Sequence, residues 1–321
     1  MPPWKHVTKR VLFAVFALYL VVSVTFAFVA LTDDPNEGAI AWGAATGPEV
    51  DSAEDADAAG KEAIREYRES RNLDAPLHER YLRWVVGVAT LDWGQSYSQN
   101  APVTDVLSRT LPATLAYVVP AMLFAIVGGV GLGVFSAMND GSAVERLSTA
   151  AFSVSYGVPN FWWVIVIPIV GADHVPELIA AIPDFRTVVL PASVLGASLI
   201  AGQLRYARAE SSEYVNTEFV KLLRAKGASN RRVARHVLKN AALPLFSLFF
   251  VELLGVLVVN VFVLEQILPI QGIGRVGLQA IHDRDIPLVL GIAIVTATAG
   301  VVGSLIQDLA HVSLDPRVDG N

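Results

Sequence analysis

The sequence predicts an all-α membrane protein of about six transmembrane helices. Two observations lead to this fold class. Of the 321 residues, 53% are hydrophobic and only 17% are charged, whereas a soluble domain carries about 25% charged residues. The apolar residues are also concentrated in blocks, most of them about 20 residues long, which is the length that a helix needs to cross the hydrocarbon core of a bilayer.

The first apolar block covers residues 11–31 and follows the basic residues Lys5, Lys9 and Arg10. A cleaved signal peptide has a shorter apolar region of about 7–15 residues. The block therefore predicts an uncleaved transmembrane helix, and we expect residues 1–31 to form a cytoplasmic N-terminus followed by this first helix.

An acidic, polar region occupies residues 32–110, and we expect it to be extracytoplasmic. Within it, residues 52–71 are rich in Ala, Glu and Arg and contain no proline, which predicts a helix. Trp84 and Trp93 lie in a less charged part. They fit either a segment at the membrane interface, where tryptophan is enriched, or the core of a small soluble cap.

Residues 111–321 are predicted to form the core domain with the remaining transmembrane helices. Its apolar blocks cover residues 112–138, 147–170, 187–204, 244–264 and 287–309. In the first of these blocks, Gly129 and Gly133 have the GxxxG spacing that lets two helices approach closely in lipid. We therefore expect tight helix packing at these glycines.

The orientation follows from the basic residues, which are enriched in cytoplasmic loops. Lys and Arg are frequent before the first apolar block and again in residues 205–239. Alternation of the spans places both segments on the cytoplasmic side. The acidic region is then outside, and an even number of spans puts both termini in the cytoplasm.

The inner loop of residues 205–243 reads as two short helices separated by a turn at Gly227. In the first helix, Val215, Phe219 and Leu222 recur at helical spacing and predict an apolar stripe. Ser229 is a candidate N-cap of the second helix. The residues alone leave two interpretations open: a basic loop that rests on anionic lipid headgroups, or a loop that another protein binds.

The second helix of this loop is predicted to have distinct faces. A basic face and an apolar face are expected from these residues: Arg231, Arg235 and Lys239 on the first, Val233 and Val237 on the second.

Residues 214–227 read YVNTEFVKLLRAKG, and RHVLKNAALP follows up to Pro244. These segments resemble the cytoplasmic "EAA" loop of ABC importer permeases, in particular the dipeptide/oligopeptide/nickel branch. Further segments resemble motifs of that branch in the same order: residues 72–77, 81–84, 91–96, 103–115, 158–161, 265–274, 284–287 and 314–317. The resemblance is therefore collinear over nearly the whole chain.

The sequence departs from the pattern of the branch at a few points. After the first helix only Asp34 and Pro35 remain of an apolar PGDP motif. Leu222 and Leu223 replace small residues, and residues 269–271 interrupt the usual PGxG.

The resemblance implies a permease subunit of an ATP-driven importer, with a path for peptides or a similar small solute. It implies a second homologous permease subunit, two cytoplasmic ATPase subunits and an extracytoplasmic substrate-binding protein as partners. The residues expected to couple this chain to an ATPase are Phe219, Leu222, Arg224, Ala225, Lys226, Gly227, Arg231 and Arg232.

The chain itself is not expected to be an enzyme, because it has no GxxxxGK[ST] phosphate-binding loop. The GxGxxG run at residues 272–277 lacks a preceding strand and predicts a tight turn. Residues 282–285 are expected to form a solvated turn. We expect no cofactor, no metal site and no nucleic-acid partner.

Glu252 lies midway along the predicted fifth transmembrane helix, where a carboxylate costs about 2.5–3.5 kcal/mol and is a functional candidate. It fits either the translocation path or a polar contact with Asn260, another helix or the partner permease. A secondary transporter or channel is the alternative class, although no clear inverted repeat is present.

Overall fold

The computed structural model describes residues 3–31, 34, 36–48, 50–239 and 260–314. Within these residues, the helices long and apolar enough to cross a membrane are Val7–Leu31, Val103–Met138, Phe185–Val215 and Ile286–Leu309. They confirm the first, second, fourth and sixth predicted spans. The predicted fifth span of residues 244–264, with Glu252, lies almost entirely outside the described residues, as do residues 315–317 of the last motif.

The first apolar block and the polar region fold into helices α1–α4. Their bounds are Pro3–Leu31 for α1, Glu37–Ala45 for α2, Ala53–Ser70 for α3 and Leu77–Ala89 for α4. The prediction of a helix over residues 52–71 is confirmed. The hydroxyl of Ser52 accepts the N–H of Asp55 at 3.1 Å, which satisfies one of the free donors at the start of α3.

Contacts at its C-terminal end join α3 to the start of α2. Arg68 makes two hydrogen bonds to the carboxylate of Glu37 at 2.7 and 2.9 Å, and the hydroxyl of Tyr67 donates to Asp34 at 2.7 Å. Burial raises the pKa of Tyr67 above its ordinary value, and the hydrogen bond to Asp34 raises it further.

A short antiparallel ladder follows α4. Strands β1, Gln95–Ser96, and β2, Ala101–Pro102, pair in the register Gln95↔Pro102 and Ser96↔Ala101. They are the only strands among the described residues, so the fold remains essentially all-α.

The second span begins earlier than its apolar block. Helix α5, Val103–Phe124, continues through a π-helical turn, Ala125–Val130, into α6, Gly131–Met138. The block predicted a start at residue 112 because residues 103–111 are less apolar, but nothing in them opposes a helix.

The third predicted span, residues 147–170, is not one straight helix. Helix α7, Ala143–Gly157, and α8, Asn160–His174, meet at a bend of 105°. Val158 has an extended conformation (φ −100°, ψ 129°), which is what the residue before a proline favours. Pro159 therefore interrupts the predicted third span, and α7 and α8 form either a broken span or a re-entrant loop.

The fourth span is longer than predicted. After α9, Pro176–Ala181, a π-helical turn at Phe185–Val189 leads into α10, Leu190–Val215. Its second half carries residues 205–215, which the sequence had assigned to the inner loop.

Tight packing at the two glycines of the GxxxG pair is confirmed. A Cβ atom on Gly129 would lie 3.3 Å from the carbonyl oxygen of Ile200, and one on Gly133 would lie 2.9 Å from that of Leu204. Both glycines therefore let the second span lie directly against α10.

The remaining described residues form α11, Glu218–Ala225, α12, residues 230–239, a helical turn at residues 260–267, α13, Ile273–His282, and α14, Ile286–Leu314. The chain divides into two compact units. One comprises Met1–Ala14, Ser108–Leu278 and Ala299–Asn321, and the other comprises Val15–Leu107 and Gln279–Thr298.

The first unit has an apolar core made by α5, α8, α10 and residues 261–270. Its most deeply buried side chains include Tyr117, Val164, Leu195, Leu199 and Leu264. In the second unit, Val103 and Leu288 are fully buried.

Candidate functional site: the inner-loop hairpin and the buried carboxylates

The inner loop forms a helical hairpin of α11 and α12 with its turn at Gly227. The N–H of Gly227 donates to the carbonyl of Arg224 at 2.9 Å, and the N–H of Ala228 donates to that of Leu223 at 3.0 Å. This pair of bonds is the Schellman ending of a helix. Gly227 has φ +78°, a conformation that glycine adopts without steric cost, so the predicted glycine turn is confirmed.

One face of the hairpin is buried. Val220 of α11 and Val233 and Val237 of α12 have no exposed surface and form an apolar cluster with Val215. Ala137 and Met138, at the end of α6, pack against this cluster. The hairpin is therefore attached to both α6 and α10 by apolar contacts.

The opposite face of α11 is exposed. Phe219 and Leu222 each expose 51% of their surface. The ring centroids of Phe219 and of His236 on α12 are 4.4 Å apart. The prediction that Val215 shares a stripe with them was wrong. Helix α10 ends at Val215 and the chain turns before α11, so the helical period is not continuous and Val215 points inward.

The other predicted coupling residues are also exposed. Six members of the set are exposed: Arg224, Ala225, Lys226, Gly227, Arg231 and Arg232. Arg235 and Lys239 are also exposed while Val233 and Val237 are buried, so the two predicted faces of α12 are confirmed. Ser229 directly precedes α12, and its carbonyl accepts the N–H of Val233 at 3.1 Å, as expected for an N-cap position.

A charged contact that the sequence did not predict fixes the C-terminal half of α10. Arg208 forms ion pairs with Glu145 of α7 and with Asp140, the latter at 2.7 Å. Glu145 is buried, and its N–H donates to the hydroxyl of Ser142 at 3.2 Å. The start of α7 is thereby held against the segment that leads into the hairpin.

Glu265 is a fully buried carboxylate that accepts four hydrogen bonds. Its Oε1 accepts the hydroxyls of Thr114 at 2.6 Å and Tyr117 at 3.0 Å. Its Oε2 accepts the backbone N–H groups of Gly274 at 2.8 Å and Arg275 at 3.1 Å. The carboxylate thus joins α5 to the first turn of α13.

The glycines of the GxGxxG run are explained by this contact. A Cβ atom on Gly272 would collide with the carboxylate of Glu265, and one on Gly274 would lie 2.7 Å from the carbonyl oxygen of Val261. The prediction of a tight turn was wrong, because only Gly272 precedes α13 and the rest of the run, residues 273–277, forms the first turns of that helix.

Asp285 is a second fully buried carboxylate, so the prediction of a solvated turn over residues 282–285 was wrong at this residue. Its Oδ2 accepts the hydroxyls of Ser96 at 2.6 Å and Ser98 at 2.8 Å and the N–H of Ser98 at 2.9 Å. Its Oδ1 accepts the N–H of Leu288 at 3.2 Å, in the first turn of α14. Two family-like segments, residues 91–96 and 284–287, are therefore in direct contact.

Among the described residues, no group of three or more His, Cys, Asp or Glu side chains could hold a metal ion. Glu252 lies outside them, so its assignment to the translocation path stays a prediction.

These features define a multi-pass membrane subunit with a helical hairpin that presents an apolar and basic surface. The sequence matches the family of binding-protein-dependent transport system inner membrane components over residues 129–320. The chain belongs to this family and is a permease subunit of an ATP-driven importer. The predicted resemblance to the dipeptide/oligopeptide/nickel branch is confirmed.

Similar proteins match most of the chain. The oligopeptide transport system permease protein AppB of Bacillus subtilis is 27% identical over 267 residues, which cover 79% of this chain and 84% of AppB. The dipeptide transport system permease protein DppB of Escherichia coli K12 is 27% identical over 279 residues, 77% of this chain and 82% of DppB. A putative peptide transport system permease protein of Brucella abortus is 28% identical over 324 residues, 97% of this chain and 98% of that protein.

Proposed function

We propose that this chain and a second homologous permease subunit form the translocation path for peptides or a similar small solute. Two cytoplasmic ATPase subunits drive the transport, and an extracytoplasmic binding protein delivers the solute. The peptide class rests on the relatives, which are named as oligopeptide, dipeptide and peptide transport permeases. The chain itself is non-catalytic in this proposal.

The observation that carries the proposal is the division of the hairpin into two faces. Its valines are buried against α6 and α10, whereas Phe219 and Leu222 are half exposed beside exposed arginines and lysines. An apolar pair that stays exposed on a helix whose opposite face is buried is a surface that fits another protein. We assign this surface to contact with one ATPase subunit.

The hairpin can transmit a movement because a turn of only two residues joins it to a spanning helix. Helix α10 runs without a break from Leu190 to Val215 and leads directly into α11. A partner that changes shape on binding ATP biases such an element between two positions. Apolar docking of Phe219 and Leu222 supplies most of the affinity, because exposed ion pairs of Lys226, Arg231 or Arg232 contribute only about 0–1 kcal/mol each.

The proposal fixes the orientation of the chain. Residues 205–243 lie in the cytoplasm, both termini lie on the same side, and the polar region of residues 32–110 belongs to the extracytoplasmic side. Glu252 stays a candidate residue of the path within the core domain of residues 111–321.

The test is recovery of partner subunits with the tagged chain from membranes in mild detergent. Phe219→Asp places a charge at the centre of the exposed apolar pair, so we expect it to lose the ATPases and to keep the second permease. Thr217→Asp is the matched control. It adds the same charge at the exposed position before α11, where aspartate is a favourable N-cap, and we expect it to retain the ATPases.

Retention of the ATPases by Phe219→Asp would contradict the assignment of this surface. Recovery of the folded wild-type chain without any partner, under conditions that keep a known importer intact, would contradict the proposed assembly and favour a secondary transporter. Gly227→Asp provides a second variant, because it strains the turn without changing the apolar pair.

A further inference from the structure

Helix α4 contacts residues in the middle of the first span, Val7–Leu31, and not only the residues at its end. The hydroxyl of Tyr81 donates to that of Tyr19 at 2.8 Å and is hydrogen-bonded to that of Ser23 at 2.7 Å. The indole N–H of Trp84 donates to the carbonyl of Val22 at 2.9 Å. These contacts fix the position of α4 along the axis of α1.

The contact with Val22 lies deep in the first span. The apolar span ends at Leu31, and the nine residues between them rise about 13 Å along a helix. Half of the hydrocarbon core of a bilayer is about 15 Å thick. Trp84 therefore meets α1 close to the middle of the membrane.

The loop after α4 gives a second indication of depth. A Cβ atom on Gly291 would lie 3.3 Å from Cε3 of Trp93, so the Trp93 ring lies directly against α14. The last span begins at Ile286, and five residues correspond to about 7 Å of helix. Trp93 is thus also placed inside the thickness of the bilayer.

The side of α4 that faces away from α1 becomes apolar along the helix. His78 and Glu79 are exposed in its first turn, whereas Leu82 and Val86 follow one turn apart with 61% and 59% of their surface exposed. Such a change fits a helix that enters the membrane with its polar end at the headgroups.

We propose that α4 is immersed in the leaflet in which α1 ends, with Leu82 and Val86 in contact with lipid acyl chains. Part of the polar region of residues 32–110 then belongs to the membrane and anchors the first span from the side. Exposed residues elsewhere on α1 support lipid as the occupant, since Phe16, Leu20 and Val24 of the same span are apolar and exposed.

The experiment measures collisions of a nitroxide label in the assembled importer in lipid nanodiscs. The chain has no cysteine, so a single label can be attached at Val86→Cys. Val24→Cys on α1 is the matched control for a lipid-facing site, and Glu66→Cys on the exposed face of α3 is the control for water. We expect the label at position 86 to collide several-fold more often with oxygen, relative to a water-soluble nickel chelate, than the label at position 66.

Frequent collisions of the position 86 label with the nickel chelate would overturn the proposal, because they would place Leu82 and Val86 in water. Rare collisions with both reagents would also overturn it, because they would show that a protein subunit covers these two residues. Leu82→Cys repeats the measurement on the same face if Val86→Cys does not assemble.

Discussion

Replacing Glu265 by glutamine tests whether the buried carboxylate holds α5 and α13 together. Glutamine keeps the size of the side chain, but its NH2 group cannot accept a hydrogen bond. If the amide oxygen faces Thr114 and Tyr117, the NH2 group faces the N–H donors of Gly274 and Arg275. Each buried donor that loses its acceptor costs about 1–3 kcal/mol, so the variant should lose about 2–6 kcal/mol of stability.

The loss is measured as the midpoint of thermal unfolding of the detergent-solubilised chain, followed by fluorescence-detected size-exclusion chromatography. With an unfolding entropy of about 2.1 cal/mol/K per residue, 1 kcal/mol shifts the midpoint of a chain of 321 residues by about 1.5 °C. We expect Glu265→Gln to lower the midpoint by about 3–9 °C.

Glu213→Gln is the control for the charge change, because Glu213 is exposed on α10. Equal midpoints for Glu265→Gln and Glu213→Gln would refute the reasoning, since they would show that the four hydrogen bonds contribute no measurable stability.

Two further predictions concern packing and the second carboxylate. Gly133→Ala should lower the unfolding midpoint, because its methyl group would collide with Ala207 of α10 and overpacking costs about 1–3 kcal/mol. Gly131→Ala, which meets nothing within 4 Å, should not lower it, and equal effects of both variants would contradict the close packing. Asp285→Ala should speed hydrogen exchange in residues 95–102, because the donors of Ser96 and Ser98 lose their acceptor, and unchanged exchange there would contradict the anchoring role of Asp285.

The spans and the polar helix α3 could be predicted because each is encoded within a short stretch of sequence. Apolar blocks of membrane length and the run of Ala, Glu and Arg in residues 53–70 need no information about distant partners. The bend between α7 and α8 also has a local signal in Pro159, but the apolar character of residues 147–170 outweighed it. A proline within a block does not always interrupt the helix, however, since α5 continues through Pro112 and Pro120.

The buried carboxylate contacts could not be predicted, since their partners lie far apart in the sequence. Glu265 meets Thr114, and Asp285 meets Ser96, across long intervening segments. All four residues lie in segments that resemble motifs of the family. The resemblance does not indicate, however, which of these segments contact each other in the fold. The contact of α4 with α1 could not be predicted for the same reason, since Tyr81 and Trp84 lie far in the sequence from their partners on α1.

Directional polar contacts have a particular value in a protein of this class. In lipid, apolar side chains gain little from meeting each other instead of acyl chains, so apolar contacts alone specify the position of a helix weakly. Glu265 and Asp285 each accept an N–H in the first turn of a helix, α13 and α14 respectively, where the helix dipole favours a negative charge. Each also accepts serine or threonine hydroxyls from a distant segment. Because a buried carboxylate without these donors is costly, displacement of either helix start carries a penalty that apolar packing could not provide.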